Sequence, residues 1–310
     1  MKTVGESSDE LYNIVFNSRA KERAMINFII GTTRDERLAI RRHYDQKSSR
    51  SNLIADIGNK LSGDFKNIVT KLFYSRAEYD TEELIRALRG KKVNESTVDE
   101  ILFNRPNKLR NEIIRAYNRE TQSNLISDID RAYNGYTKEA VKIMISYDRN
   151  ETGRVNELAV QQACRYMLAK QPNEWIDQKD LLVSLAQFTP GEMVLLARLY
   201  RENSGVHMLD AIDGMSKPYR AFFRDLFYNV VNPAELYAQK INESVKGLGT
   251  DDNLLIRMVV TRYDLDMNMI KKYYYDQFQE TVRQAIEDDC SGSYKRLLIA
   301  LVHQLDAEEY

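Results

Sequence analysis

The residues best suited to chemistry lie in two short stretches near the end of the chain. The first, 245–252, contains Gly247 and Gly249, and the second places Asp289 just before a Ser-Gly turn. Glycine lets the backbone turn without a side-chain penalty, so consecutive carbonyl oxygens can point at one position. Calcium takes about six to eight oxygen ligands and accepts backbone carbonyls. Because carbonyls carry no formal charge, the pattern needs a carboxylate from elsewhere, and Asp289 is the candidate.

A helix should begin directly after the glycine loop. Thr250 is the predicted N-cap, and Asp251 and Asp252 fall in the first turn, where negative charge is favourable. Apolar residues follow at helical spacing, at Leu254, Leu255, Met258 and Val259. A plain helix entrance and an unrelated acidic turn would explain the glycine motif alone equally well.

Taken together, the two stretches resemble one known family. Lys-Gly-Leu-Gly-Thr-Asp, followed about forty residues later by Asp-Cys-Ser-Gly-Ser-Tyr-Lys-Arg-Leu-Leu, is similar to the calcium loop of an annexin repeat. The resemblance implies calcium as the cofactor, held by the carbonyls of Val245, Gly247 and Gly249 and by a bidentate carboxylate at Asp289. It also implies an all-α fold of four annexin-type repeats, each of about five helices, in a slightly curved disc. The implied function is calcium-dependent binding of acidic phospholipid at a membrane surface.

Internal repetition supports four units of roughly seventy residues. Each unit has an isoleucine followed six residues later by a turn former: Ile57/Gly63, Ile129/Gly135, Ile212/Pro218 and Ile286/Gly292. A second marker pairs an apolar residue with a tyrosine at i, i+4 on one helical face: Ile40/Tyr44, Ile113/Tyr117, Leu196/Tyr200 and Ile270/Tyr274. The predicted organisation is a head at 1–10, repeats at 11–79, 80–147, 156–230 and 231–303, a linker at 148–155 and a tail at 304–310.

Composition narrows the class of protein. The chain has 310 residues, of which 43% are apolar. Its formal net charge is −1, so the overall charge of the protein does not favour binding to nucleic acid. Two cysteines are too few for a disulfide scaffold and favour a reducing compartment. The N-terminus lacks the apolar core of a signal peptide, and no apolar run is long enough to span a bilayer. Three histidines form no metal or nucleophile pattern, so we expect neither an enzyme nor a small-molecule substrate.

The other three repeats depart from the calcium pattern. In repeat 1 the position of the acid falls on Lys60, whose ammonium would repel calcium. In repeat 2 the second glycine is replaced by Lys92 and the acid by Ala132, and in repeat 3 the acid is replaced by Met215. The sequence therefore predicts a single intact calcium loop, in repeat 4.

The altered loops gain positive charge. Arg19, Lys21, Lys60, Lys91 and Lys92 fall on loops that would share the membrane-facing surface, where a basic residue contributes roughly 1 kcal/mol near anionic lipid. These residues are predicted to contact phospholipid, and ordinary solvated side chains are the alternative. Trp175, the only tryptophan, is a further candidate lipid contact because tryptophan favours membrane interfaces; packing in the interior is its alternative role.

The resemblance also assigns a central polar channel. Its lining on this chain would be Asp80, Glu83, Glu100, Arg105 and Arg257. The physical interpretation is a buried ion-pair network between repeat modules, which fixes their packing more than it adds stability.

Three altered calcium loops and a short head are features in which this chain resembles one divergent protist branch of annexins, the alpha-giardins. That branch is associated with the plasma membrane and with the microtubule cytoskeleton of flagella. We therefore expect a cytoplasmic protein, peripheral at the inner face of the plasma membrane, that links membrane and cytoskeleton. The alternative is a microtubule- or flagella-associated structural protein whose interactions are largely independent of calcium.

Overall fold

The computed structural model describes residues 2–19, 21–47, 52–247 and 249–304. Within these ranges the secondary structure consists of twenty α-helices and one 3₁₀ helix, with no strand. None of these helices has the length and apolar character needed to cross a bilayer. The predicted all-α class is therefore confirmed.

The helices group into four sets, each of which contains one copy of both sequence markers. Repeat 1 contains α1 (Val4–Phe16), α2 (Lys21–Ile30), α3 (Arg34–Gln46), α4 (Leu53–Lys60) and α5 (Gly63–Leu72). Repeat 2 contains α6 (Arg76–Arg89), α7 (Glu95–Asn104), α8 (Asn107–Thr121), α9 (Leu125–Ala132) and α10 (Gly135–Ser146). Repeat 3 contains α11 (Glu157–Leu168), the 3₁₀ helix (Pro172–Asp177), α12 (Lys179–Gln187), α13 (Pro190–Ser204), α14 (Met208–Asp213) and α15 (Lys217–Val231). Repeat 4 contains α16 (Pro233–Val245), α17 (Asp252–Arg262), α18 (Met267–Phe278), α19 (Val282–Asp289) and α20 (Gly292–Val302).

The two sequence markers occupy equivalent buried positions in every repeat. The four isoleucines lie in the fourth α-helix of each repeat and are fully buried, at Ile57, Ile129, Ile212 and Ile286. The four tyrosines lie in the third α-helix and are at most 7% exposed, at Tyr44, Tyr117, Tyr200 and Tyr274. Their spacing therefore reports the core of a repeated five-helix unit.

Three predicted boundaries fall within helices, and the one between 230 and 231 separates only the last residue of α15. Residues of the predicted head belong to α1, which begins at Val4 because Thr3 and Glu6 form a reciprocal capping box. The boundary predicted between 79 and 80 cuts through α6, which begins at Arg76. The predicted linker does connect α10 to α11, where Asn150 N–H donates to the Gln187 carbonyl at 2.8 Å. Apart from Gln304, the predicted tail lies outside the described residues.

The chain divides into two compact units. One unit comprises Met1–Arg76 and Ala234–Tyr310, and the other Ala77–Pro233. In the first unit, repeats 1 and 4 pack together through α2 against α20 and through α5 against α17 and α20. In the second unit, repeats 2 and 3 share a continuous core in which α7 packs on α15 and α10 on α12. The glycine loop of repeat 4 therefore leads into α17, and α17 packs against α5 of repeat 1.

Candidate metal centre and basic loops

The glycine loop of repeat 4 is a closed turn between two helices. It leaves α16 at Val245, and the backbone N–H of Asp251 donates to the carbonyl of Ser244 at 2.7 Å. Gly247 and Gly249 have φ angles of 126° and 88°, in the region that L side chains rarely adopt. The loop therefore requires glycine at both positions, as the sequence predicted.

The start of α17 corrects one assignment. The N-cap is Asp251, whose Oδ1 accepts a hydrogen bond from Leu254 N–H at 3.0 Å. Thr250 is not the cap, because its hydroxyl is directed across the loop: it donates to Oδ2 of Asp289 at 2.8 Å and lies 3.3 Å from the Asp289 carbonyl oxygen. The structure thus joins the glycine loop to the acid 39 residues later.

The donor set at this loop fits a hard cation. Asp289 ends α19 with an exposed carboxylate, beside a loop that also contains backbone carbonyl oxygens. Oxygen ligands of this type suit calcium. In the described part of the chain no group of three or more His, Cys, Asp or Glu side chains could hold a metal. Carbonyls of Val245, Gly247 and Gly249 with the carboxylate of Asp289 remain the predicted ligand set.

The surroundings of the loop carry excess negative charge. The pKa of Asp252 is raised by burial, then by Asp64 on α5, with Asp251 and Asp289 adding to the effect. Sequence reasoning missed Asp64, which directly follows Gly63 at the turn equivalent to Gly292. A bound cation would relieve this repulsion.

Cys290 follows the candidate acid and is a poor nucleophile. Burial, Asp252 and Asp289, in that order, raise the pKa of its thiol to about 11. The thiol is therefore protonated near neutral pH, and thiolate is the reactive form.

The loop of repeat 2 keeps the same closure but not the same backbone. Asn94 N–H donates to the Ala87 carbonyl at 2.9 Å, and Asn94 caps α7 as Asp251 caps α17. Gly90, however, does not have a positive φ; a Cβ there would lie 2.6 Å from the Arg86 carbonyl oxygen. Gly90 is therefore required because a side chain would clash with this carbonyl oxygen, and not because its φ angle is positive.

The predicted basic residues lie at the loop surfaces of repeats 1 and 2. Arg19, Lys60, Lys91 and Lys92 are exposed, and Lys21 is half-buried at the start of α2. The Lys60 ammonium lies 5.2 Å from the centroid of the Phe16 ring, which anchors it beside the loop that follows α1. In repeat 3 the equivalent loop is held differently, by Asn173 Oδ1 accepting from Ser216 N–H at 2.8 Å.

Trp175 is a core residue in this structure. Its side chain is fully buried, and its indole N–H donates to the Met167 carbonyl at 3.0 Å. Tyr200 and Phe223 pack edge-on against the ring, with centroids 5.4 and 5.9 Å away. The predicted lipid contact by Trp175 is therefore corrected to a packing role, since an apolar ring with a satisfied N–H gains nothing from exposure.

The residues assigned to a polar channel are divided between the two units. Asp80 accepts two bonds from the Arg105 guanidinium, at 2.6 and 2.8 Å, and Glu100 lies 3.9 Å from Arg105. Glu83 pairs with Arg86 at 3.0 Å. Of these pairs, the buried one between Asp80 and Arg105 joins α6 to the end of α7 within repeat 2, whereas we expected the network between modules. Arg257 lies on α17 of the other unit, and the channel stays a prediction.

Comparison with known proteins agrees with the fold described above. The family model described as Annexin matches residues 79–144 and 237–301. Human annexin A7 is 27% identical over 91% of this chain, which spans 58% of that protein's length. Solved structures of annexin III (TM-score 0.90, 22% identity, 97% of this chain and 94% of that one) and of calcium-bound alpha-14 giardin (TM-score 0.78, 16% identity, 97% and 99%) have the same fold.

Proposed function

Because this chain is a member of the annexin family, we propose that it binds acidic phospholipid at a membrane surface through calcium held in repeat 4. Family membership is consistent with calcium-dependent phospholipid binding in general. The observation that carries the finer proposal is the contact between Thr250 and Asp289, which joins the glycine loop to its carboxylate.

Each residue of the loop has a separate task in this proposal. Gly247 and Gly249 allow the backbone to present carbonyl oxygens, and Asp289 supplies the formal charge that those oxygens lack. Bound calcium would supply the bridge from these oxygens to lipid phosphate. The ligand set holds one carboxylate, so we expect an affinity no better than about 10⁻⁵ M without lipid.

The matched test compares two neighbouring acids. Asp289→Asn removes the predicted ligand charge without changing side-chain size, while Asp288→Asn removes an exposed charge whose carboxylate accepts from Gln284. Calcium titration and sedimentation with phosphatidylserine vesicles should show loss of calcium-dependent binding for Asp289→Asn alone. Equal binding by both variants would refute the assignment.

A basic component accompanies the calcium loop in the proposal. The exposed basic residues of the altered loops, Arg19, Lys60, Lys91 and Lys92, together with Lys21, would contact lipid phosphate without calcium. The supporting observation is the anchoring of Lys60, at the position of the lost acid, beside the loop after α1.

The link to the cytoskeleton is the second candidate function. Its support is the loss of the carboxylate from three of the four loops, at Lys60, Ala132 and Met215, which leaves those loops available for another partner. Sedimentation with microtubules, with calcium and with chelator, tests it. Binding in chelator favours the cytoskeletal function, and no binding in either condition eliminates it.

A further inference from the structure

Two arginines at the loop surface of repeat 2 share one buried carboxylate. Asp128 on α9 is 4% exposed. Nε and Nη2 of Arg89, the last residue of α6, lie 2.8 and 2.6 Å from its Oδ2. Arg131, one turn along α9, contacts its Oδ1. A single acid therefore fixes the positions of both guanidinium groups.

The acid is held firmly in its ionised form. Burial alone would raise the pKa of Asp128, but hydrogen bonds from Tyr117, Arg89, Ser123 and Arg131 hold it well below its usual range. The Tyr117 hydroxyl donates at 2.5 Å and the Ser123 hydroxyl at 2.9 Å. The Arg89 guanidinium also lies over the Tyr117 ring, 5.9 Å from its centroid, which restricts its rotation. Both arginines are thus preorganised before any ligand arrives.

The cluster keeps a net positive charge that faces solvent. One carboxylate cannot neutralise two guanidinium groups, and the side chains of Arg89 and Arg131 are 38% and 69% exposed. The nearby acid Asp130 is engaged by Lys142 at 3.1 Å. A paired arginine surface with remaining N–H donors matches the oxygens of a phosphate group, which arginine can hold bidentately.

The other repeats show that the fold does not need this pair. The positions equivalent to Arg89 and Arg131 hold residues without a guanidinium: Asn17 and Asn59 in repeat 1, Lys170 and Gly214 in repeat 3, Lys246 and Asp288 in repeat 4. In repeat 4 the position of Asp128 is Ala285. The arginine pair therefore belongs to repeat 2 alone and calls for a local explanation.

We propose that Arg89 and Arg131 form a phosphate-binding site in repeat 2 that acts without calcium. Its membrane ligand would be the phosphate of an anionic lipid headgroup. The site rests on the proposed membrane function and adds to it a second, calcium-independent point of attachment. It differs from the diffuse attraction of the loop lysines because it depends on the shape of the guanidinium group and not only on charge.

The test keeps charge constant and changes shape. In the double variant Arg89→Lys and Arg131→Lys, binding to phosphatidylserine vesicles in chelator at low salt should weaken about ten-fold, because charge-assisted bidentate bonds are lost. The control is Arg119→Lys with Arg198→Lys, two exposed arginines elsewhere in the same unit, which should bind as the parent does. If the Arg89→Lys/Arg131→Lys variant bound vesicles as tightly as the control double variant, the proposal would be overturned, because charge alone would then explain binding.

Folding and ligand source are tested separately. If the double variant fails to fold, the single variant Arg131→Lys, which keeps the pairing of Arg89 with Asp128, decides by the same criterion. Inorganic phosphate that displaces the parent from vesicles better than chloride of equal ionic strength shows that the site also takes free phosphate. No displacement, with loss of binding in the lysine variants, restricts the site to the lipid headgroup. Failure of the proposed calcium function would give a different result, because adding calcium would then not increase vesicle binding by the parent.

Discussion

The hydroxyl of Thr250 lies 2.8 Å from Oδ2 of Asp289, so the loop before α17 and the end of α19 meet through a direct side-chain contact. The two residues are 39 positions apart in the sequence, so the fold is what brings them together. The contact places one carboxylate beside a loop shaped by two glycines. The account of repeat 4 as the calcium site depends on this relationship.

The loop conformation predicts a clear difference between two glycine substitutions. Gly249→Ala introduces a side chain at a φ of 88° and should destabilise the loop by about 1–2 kcal/mol, with calcium affinity falling about ten-fold. Gly58 lies inside α4, where a new Cβ would meet open space. Gly58→Ala should therefore raise the free energy of unfolding by about 0.5–1 kcal/mol. Calcium titration and thermal unfolding measure both. Equal calcium affinity of the two variants would show that the loop conformation is unimportant.

The buried position of Trp175 predicts how its fluorescence behaves. As the only tryptophan, it should emit at short wavelength, resist quenching by acrylamide and change little when calcium and vesicles are added. Trp175→Phe loses the bond to Met167 and should destabilise the fold by about 1 kcal/mol or more, with vesicle binding intact. Tyr136→Phe, at a half-exposed ring, is the control and should leave stability unchanged. A red shift on vesicle binding would instead restore the lipid contact predicted from sequence.

The acid of the arginine pair predicts a pH dependence. The pKa of Asp128 is depressed in the folded state, so its stabilising effect is present above the unfolded value of about 3.9 and is lost as pH falls below it. Asp128→Asn should lower the free energy of unfolding by roughly 3 kcal/mol at neutral pH. The gap between parent and variant should narrow as the pH is lowered from about 5 to 3. Denaturant unfolding of the parent, Asp128→Asn and the exposed control Asp130→Asn tests this, and a gap independent of pH would contradict the charged state of Asp128.

The loop lysines predict a salt-sensitive component of binding. Replacing Lys60, Lys91 and Lys92 with alanine should weaken calcium-free vesicle binding about five-fold for each charge removed. The component should be confined to anionic lipid and fade with salt, because such contacts are screened over about 10 Å at 0.1 M. The control replaces three exposed lysines outside these loops, Lys2, Lys108 and Lys272. No binding by the parent in chelator at low salt would show that the loop lysines are merely solvated.

The sequence predicted the fold because its periodicity reports burial directly. Ile57 and its equivalents recur because each fills the core of one repeat, and no long-range information is needed to detect them. The capping box of Thr3 and Glu6 was a detectable signal for the true start of α1, and the predicted head overlooked it.

Parts of the site could not be predicted, because they depend on three-dimensional neighbours. The role of Thr250 changed from cap to bridge because α17 begins one residue later than predicted and Asp289 lies within reach of its hydroxyl. The burial of Trp175 depends on Tyr200 and Phe223, which come from distant helices. The pairing of Arg89 with Arg131 likewise appears only in the fold, where the end of α6 meets Asp128 on α9.

Crystals soaked in millimolar calcium test the assignment of the calcium site to repeat 4. The first ion to appear should be bound by the carbonyls of the 245–249 loop and by both carboxylate oxygens of Asp289. The same soak of Asp289→Asn should leave that position empty. An ion held by the loop around Lys92, with none at repeat 4, would contradict the account.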